Sequence, residues 1–215
     1  PPHRLSLTEN VTSGCVLPLW GLPFEPGDTL LLSDAEHPGV VAACQELARR
    51  QGLSISWFGA RDCRSDAAVL ESLEAALEPS TRLVVLSHLL WNSGLPMPIE
   101  AVANQLKQHH QHPFLLVDAA QSMGQIPVQA AAAASDIYAF TGHKWCFGPE
   151  GLGGVALSQR VLEQGQYRRR VRRLVQLGLA ALERRLLDAL LARRWRPWLC
   201  PRALCPWRRC RRRRW

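Results

Sequence analysis

Short apolar runs alternate with amphipathic, helix-like segments over the first 159 residues, and this alternation constrains the fold more than any other feature of the sequence. The strand-like runs are residues 28–34, 54–58, 81–88, 114–120, 136–143 and 153–158. Helical spacing is found at residues 38–52, at 65–79 with Ser65 as N-cap, and at 98–110. Because continuously apolar strands are buried on both faces, the pattern predicts an α/β fold with a mostly parallel sheet flanked by helices.

The charge distribution divides the chain near residue 160. Residues 1–159 carry eight basic and fifteen acidic side chains, whereas residues 160–215 carry eighteen arginines and three acids. We therefore predict two segments, an α/β domain over residues 1–159 and a basic Arg- and Trp-rich tail over residues 160–215. Apolar spacing predicts a helix within 166–195. The remainder of the tail has the composition of out-of-frame GC-rich sequence, so we expect a non-homologous or frameshifted segment.

The expected localisation depends on two kinds of segment that we do not find in the sequence, a membrane-spanning run and a signal peptide. No apolar run has the length that a membrane-spanning helix requires, and the N-terminus lacks a signal-peptide pattern. The chain has seven cysteines without the paired spacing of a metal site, which favours a reducing compartment. We expect a cytoplasmic protein without a bound metal, and the histidines at 109, 110 and 112 are expected to be solvated.

Polar side chains follow four of the predicted strands. They are Asp34, Glu36 and His37; Ser87, His88, Trp91 and Asn92; Asp118 and Gln121; and Thr141, His143 and Lys144. Ligands of open α/β sheets bind beyond the carboxyl ends of the strands, so these residues predict a shared site. Taken singly, each also has a structural interpretation, such as a helix cap for the aspartate or a solvated surface pair for the histidine and lysine.

Lys144 lies in "TGHKWCFGPEGLGG" and is one of two lysines in a chain with 24 arginines. Arginine keeps its charge, whereas a lysine can lose its proton and act as a nucleophile. The position is therefore compatible with amine chemistry, although the scarcity of lysine does not prove it.

Several stretches resemble a known family. "LLVDAAQSMGQIPV" and "SDIYAFTGHKWCFGPEGLGG" are similar to the cofactor-lysine region of class V aminotransferases, the pyridoxal 5′-phosphate (PLP) group that includes cysteine desulfurases. "LTENVTSGC", "DAEHPGVV" and "SHLLWNSG" resemble cysteine/cystine C–S lyases more closely. The resemblance covers roughly residues 5–158 and implies a fragment of the large domain of a type I PLP-dependent transferase, since chains of this family are about twice as long.

The resemblance implies a role for each matching residue. Lys144 would bind the cofactor covalently and move the substrate α-proton, and Asp118 would pair with the pyridine nitrogen. Gln121 would contact the phenolic oxygen, and His37 would stack on the ring and take part in catalysis. The remaining implied contacts are the phosphate with Thr8, Thr141 and His143, and the substrate with Asn92. Thr8 is also expected to open a helix.

The implied activity is β-elimination from cysteine or cystine by a homodimer. Cysteine desulfurase and aminotransferase activities of the same family remain alternatives, although the sulfur-accepting cysteine segment of desulfurases is not recognisable here. A different hypothesis is an inactive fragment whose basic tail binds nucleic acid or anionic surfaces, and we rank nucleic-acid binding below the enzymatic interpretation.

Overall fold

The structure, a computed structural model, describes residues 2–165. The predicted helix within 166–195 and the rest of the basic tail beyond residue 165 lie outside the described residues. A short 3-10 helix, Pro2–Arg4, comes first. The described strands and α-helices are β1 Leu5–Thr8, α1 Val11–Leu19, β2 Thr29–Ser33, α2 Pro38–Gln51, β3 Ser54–Phe58, α3 Asp66–Ala76, β4 Thr81–Ser87, α4 Ile99–Gln108, β5 Phe114–Asp118, α5 Gln129–Ala134, β6 Ile137–Thr141, β7 Gly153–Leu157 and α6 Gln159–Gln164.

The described strands form one sheet in the order β1-β7-β6-β5-β4-β2-β3. Neighbours from β3 through β2, β4 and β5 to β6 are parallel, whereas β7 is antiparallel to both β6 and β1. The predicted mostly parallel sheet is therefore confirmed, with an antiparallel edge that the sequence analysis did not foresee.

Helices cover both faces of the sheet. Successive residues of a strand point to opposite faces, so each buried strand contributes side chains to a core on either side. Leu30 and Leu32 of β2 pack in a core cluster with residues of α1, α2 and α6, including Val161. Leu31, between them, packs in a second cluster with residues of α3, α4 and α5, including Leu73. This arrangement explains the continuously apolar strand sequences, since neither face of the central strands meets water.

The strands and helices predicted between residues 28 and 158 are confirmed, with bounds that differ by three residues or fewer. Ser65 caps α3 as predicted, and its side chain accepts a hydrogen bond from the Ala68 N–H at 3.2 Å. Four of these strands and α-helices were not predicted, namely β1, α1, α5 and α6. The expectation that Thr8 opens a helix is wrong, because Thr8 ends β1 and the N-cap of α1 is Asn10, whose side chain accepts from the Ser13 N–H.

Helix α1 lies against the antiparallel edge of the sheet, and glycines allow the close approach. A Cβ on Gly14 would lie 3.0 Å from the Ala139 Cβ of β6. A Cβ on Gly153 would lie 2.9 Å from the Asn10 Cα, below the distance that real Cβ contacts show. The start of α1 is thereby held beside the carboxyl end of β6.

Helix α6 crosses the charge boundary near residue 160. Val161 is buried in the core, and Arg160 pairs with Asp136 and donates to the His112 carbonyl at 2.6 Å. Residues 160–164 therefore pack with the α/β domain. The division into a domain and a separate tail stays a prediction, because its second part lies beyond the described residues.

Candidate active site

A cavity of about 250 Å³ opens at the carboxyl ends of β2, β4 and β5. Parallel strands bring these ends to one edge of the sheet, where side chains that are distant in sequence meet. The cavity is lined by Asn10, Val11, Thr12, His37, Ser87, Leu89, Trp91, Asp118, Ala120, Gln121, His143 and Lys144.

Asp118, the last residue of β5, is a buried carboxyl group in this cavity. Its Oδ1 accepts a hydrogen bond from the Ala120 N–H at 2.8 Å, and among residues 2–165 its Oδ2 has no hydrogen-bond partner. Burial raises the pKa of Asp118, while the bond from Ala120 and the charges of His37 and Lys144 oppose this rise. A cation bound next to Oδ2 would relieve the cost of keeping the carboxylate ionised.

His37 is the N-cap residue of α2, and its ring is held at two places. Nδ1 accepts a hydrogen bond from the Gly39 N–H at 3.1 Å, which leaves the proton of the neutral ring on Nε2. The ring also meets Trp91 edge-on, with centroids 5.9 Å apart and planes inclined by 72°. A flat aromatic ring is thus fixed in orientation at the cavity wall.

The loop that carries Lys144 is fastened to the loop after β5. Trp145 Nε1 donates to Gln121 Oε1 at 2.9 Å, and the Cys146 thiol contacts the Met123 carbonyl oxygen at 3.6 Å. The two backbones also touch, because a Cβ on Gly124 would lie 2.6 Å from the Trp145 carbonyl oxygen. Lys144 is half-buried and reaches the cavity from this fastened loop.

The structure brings together five of the residues that the resemblance singled out, and leaves three outside the cavity lining. The five are His37, Asp118, Gln121, His143 and Lys144. Thr141 is buried just behind the cavity, with its hydroxyl 2.8 Å from His143 Nδ1. Thr8 donates to the Asn10 carbonyl, and Asn92 is exposed in the turn after Trp91. The roles assigned to all eight stay predictions.

The sequence analysis missed Asn10 and Thr12, which line the cavity from the start of α1. The first N–H groups of a helix have no partner within the helix, and the helix dipole favours an anion there. The sequence "ENVTS" contained a usable signal. Asn10 precedes Ser13 by three residues, which is the spacing between an N-cap side chain and the backbone N–H from which it accepts a hydrogen bond. Ser87 was noted only as a polar strand end and received no role.

Two other kinds of site are not found in the described part of the chain. No group of three or more His, Cys, Asp or Glu side chains within residues 2–165 could hold a metal ion. No helix within the same range is long and apolar enough to cross a membrane.

The chain belongs to the aminotransferase class-V family, whose sequence model matches residues 8–169. This confirms the family predicted from the sequence motifs. Members of the family are PLP-dependent enzymes, which is the enzyme class and the cofactor that the resemblance implied.

Individual relatives point to several activities within this family. Isopenicillin N epimerase of Streptomyces clavuligerus is 32% identical over 164 residues, which cover 76% of this chain and 41% of that protein. A cysteine desulfurase of Haloferax volcanii is 29% identical over 169 residues, covering 77% of this chain and 38% of the relative.

The solved structures of C-DES, a cystine C–S lyase, are also similar. In complex with its reaction product cysteine persulfide, C-DES shares 41% identity and a TM-score of 0.72 with this chain, over 77% of this chain and 44% of C-DES. A lysine-to-alanine mutant of C-DES, with glycine covalently linked to the PLP cofactor, gives 40% identity and the same TM-score, over 77% of this chain and 43% of C-DES. The chain thus spans between 38% and 44% of the length of the relatives described here.

Proposed function

We propose that this chain provides the PLP-binding part of a C–S lyase that acts on cysteine or cystine. The observation that carries the proposal is the convergence of Asp118, His37 and Lys144 on one cavity from three separate segments of the chain. The similarity to C-DES supports the choice of lyase within the family.

The cavity residues fit PLP by their chemistry. Asp118 offers a buried carboxylate oxygen without a partner among the described residues, and the protonated pyridine nitrogen of PLP is a suitable cation for it. His37 presents a fixed flat ring for stacking, and Gln121 offers a side-chain amide. His143, together with the N–H groups at the start of α1, would hold the phosphate.

Lys144 would hold the cofactor through its Nζ atom and move the substrate proton. The neutral amine takes the proton from the substrate α-carbon, which requires a lone pair on Nζ. When bound, the cofactor ring accepts the electron pair released at the α-carbon. Asp118 would keep the ring nitrogen protonated. The electron pair of the α-carbon would then form a double bond to the β-carbon as the bond between the β-carbon and sulfur breaks, with the electron pair of that bond leaving on sulfur.

Covalent capture by Lys144 can be tested against the only other lysine of the chain. Lys107 lies exposed on α4, where its Nζ donates to Asn104. The full chain is incubated with PLP, reduced with borohydride, digested and examined by mass spectrometry. We expect a pyridoxyl group on Lys144 that persists in Lys107→Ala and is lost in Lys144→Ala. Labelling of both lysines to the same extent would contradict the proposal.

The reaction type is tested by the products formed from cystine and cysteine. Elimination yields pyruvate, desulfuration yields alanine, and transamination consumes a keto acid. We expect pyruvate in the Lys107→Ala variant and none in Lys144→Ala, and alanine as the main product would favour the desulfurase alternative. The predicted homodimer is tested separately, by sedimentation equilibrium of the full chain with and without PLP.

A further inference from the structure

Glu36 is a second buried carboxyl group close to the cavity, and the mechanism above does not use it. It follows β2 and accepts three hydrogen bonds, one from Ser33 at the end of β2 and two from Ser87 at the end of β4. Ser33 Oγ donates to Oε1 at 2.5 Å, the Ser87 N–H donates to Oε1 at 2.8 Å, and Ser87 Oγ donates to Oε2 at 2.8 Å. Ser87 itself lines the cavity, so it connects the buried carboxyl to the ligand site.

Among the described residues, the titratable groups that interact with Glu36 are acids and thiols. Asp118 at the end of β5, Cys15 on α1 and Cys44 on α2 interact with it electrostatically. Within residues 2–165 no lysine or arginine forms a salt bridge with Glu36. Burial raises the pKa of Glu36 to about 7, although the bonds from Ser33 and Ser87 oppose the rise. Both protonation states are therefore accessible near neutral pH.

The protonation state of Glu36 determines what Ser87 offers to the cavity. A hydroxyl group has a single proton to donate. When Glu36 is ionised, that proton is used on Oε2, and only the lone pairs of Ser87 Oγ remain for a ligand. When Oε2 is protonated, it donates to Ser87 Oγ instead, and the serine proton becomes free to donate to a ligand. The same side chain is thus an acceptor in one state and a donor in the other.

We propose that Glu36 is a positioning residue that sets the hydrogen-bonding direction of Ser87 in the cavity, so that the ionised form selects a ligand bearing an N–H donor. This deepens the proposed function, on which its ligand part rests. The expected ligand group is an amine or ring N–H of the cofactor or the amino-acid substrate. Glu36→Gln reproduces the protonated state at every pH, because its amide N–H donates to Ser87 Oγ where the acid proton would.

A cofactor-free measurement tests whether Glu36 titrates. The full chain is examined by infrared spectroscopy between pH 5 and 9 for the C=O stretch of a protonated carboxylic acid. We expect a component that disappears as the pH rises through about 7 and is absent from Glu36→Gln. The matched control is Ser158→Ala, which removes a hydroxyl donor from Asp136 at 2.7 Å without touching the cavity lining. A wild-type spectrum identical to that of Glu36→Gln would overturn the proposal.

Two non-covalent ligands test the selection by Ser87. Pyridoxamine 5′-phosphate carries an amine where 4′-deoxypyridoxine 5′-phosphate carries only a hydrogen atom, so the second ligand has no donor at that position. Neither has an aldehyde that Lys144 could capture. Tryptophan fluorescence titrations at pH 8 give the ratio of the two affinities. We expect Glu36→Gln and Ser87→Ala each to lower the preference for the amine by roughly tenfold, the effect of one charge-assisted hydrogen bond. Ser158→Ala should keep the wild-type ratio.

The outcomes separate this proposal from the proposed function. An unchanged ratio in Glu36→Gln, with both ligands still bound, overturns the role of Glu36 and leaves PLP binding intact. Failure of the wild-type chain to bind either ligand overturns the proposed function together with the ligand part of this inference. The infrared result then still decides whether Glu36 titrates near neutral pH.

Discussion

Replacing Gly124 with alanine should disturb the lysine loop from the neighbouring loop. Gly124 has φ of +87°, and an added Cβ would lie 2.6 Å from the Trp145 carbonyl oxygen and 2.9 Å from the Cys146 nitrogen. These are backbone atoms, so the clash is not relieved by a side-chain rotation. The residue that must move is the direct neighbour of Lys144.

The size of the effect follows from two contributions. An L-residue in the left-handed region costs roughly 1–2 kcal/mol relative to glycine. Overpacking against a fixed neighbour adds typically about 1–3 kcal/mol. Gly27 provides the matched control, because its φ of +93° is similar and a Cβ there would have nothing within 4 Å. We expect Gly27→Ala to show the first contribution alone and Gly124→Ala to show both.

Urea unfolding of the full chain measures the free energy of unfolding of the two variants. The yield of borohydride-fixed PLP on Lys144 measures the local effect, and it should fall in Gly124→Ala while staying at the wild-type level in Gly27→Ala. Equal losses of stability in the two variants, with equal PLP yields, would refute the argument that the two loops are in fixed contact.

Three further predictions concern stability. Leu116→Ala removes a fully buried side chain and should lower the free energy of unfolding in urea by about 2–5 kcal/mol. Leu5 is 44% exposed, so Leu5→Ala should change this free energy by no more than about 0.5 kcal/mol. Similar losses in the two variants would contradict the assigned core. Ser65→Ala removes the N-cap bond of α3 and should cost about 1 kcal/mol by thermal melting, and no change would show that the cap is dispensable. The pKa of Glu36 is raised in the folded state, from 4.5 to about 7, so its contribution to stability is complete below pH 4.5 and is lost as the pH rises through 7. This loss amounts to about 3 kcal/mol and should be absent from Glu36→Gln, and parallel stability profiles of the two proteins would refute it.

The central strands could be predicted because each must be apolar on both faces. The run "TLLLS" of β2 is buried at every residue, and a short apolar run rich in branched side chains is typical of a strand that is covered on both faces. Helix α1 could not be predicted, because Gly14 and Pro18 are poor helix formers and the sequence has no polar stripe. Its stability comes from packing on β6, which local sequence does not encode. The antiparallel direction of β7 could not be predicted either, because the sequence "GGVAL" does not indicate in which direction the strand runs.

Some residues of the candidate site could also be predicted from the sequence, and others could not. Asp118 and Lys144 could be singled out, because polar residues at the ends of apolar strands stand out in the sequence. Their approach to Asn10 and Thr12 depends on α1 and could not be foreseen. The link from Glu36 to Ser87 joins residues 51 positions apart, and it results from the pairing of β2 with β4. Glutamate at position 36 looks like an ordinary strand-end residue until the strand register is known.

The pairing of β1 with β7 has a consequence for the order in which this domain is made. Thr8 pairs with Gly153 and Leu5 with Ala156, so the only described partner of β1 is β7, the strand that comes latest in the described part of the chain. Loop closure over such a separation is slow compared with local helix formation. Asn10 and Thr12 follow β1 directly, and the pairing that holds β1 can form only after residues 153–157 have been synthesised. A nascent chain halted between Lys144 and Gly153 would contain the cofactor lysine proposed here and would still lack the strand that pairs with β1.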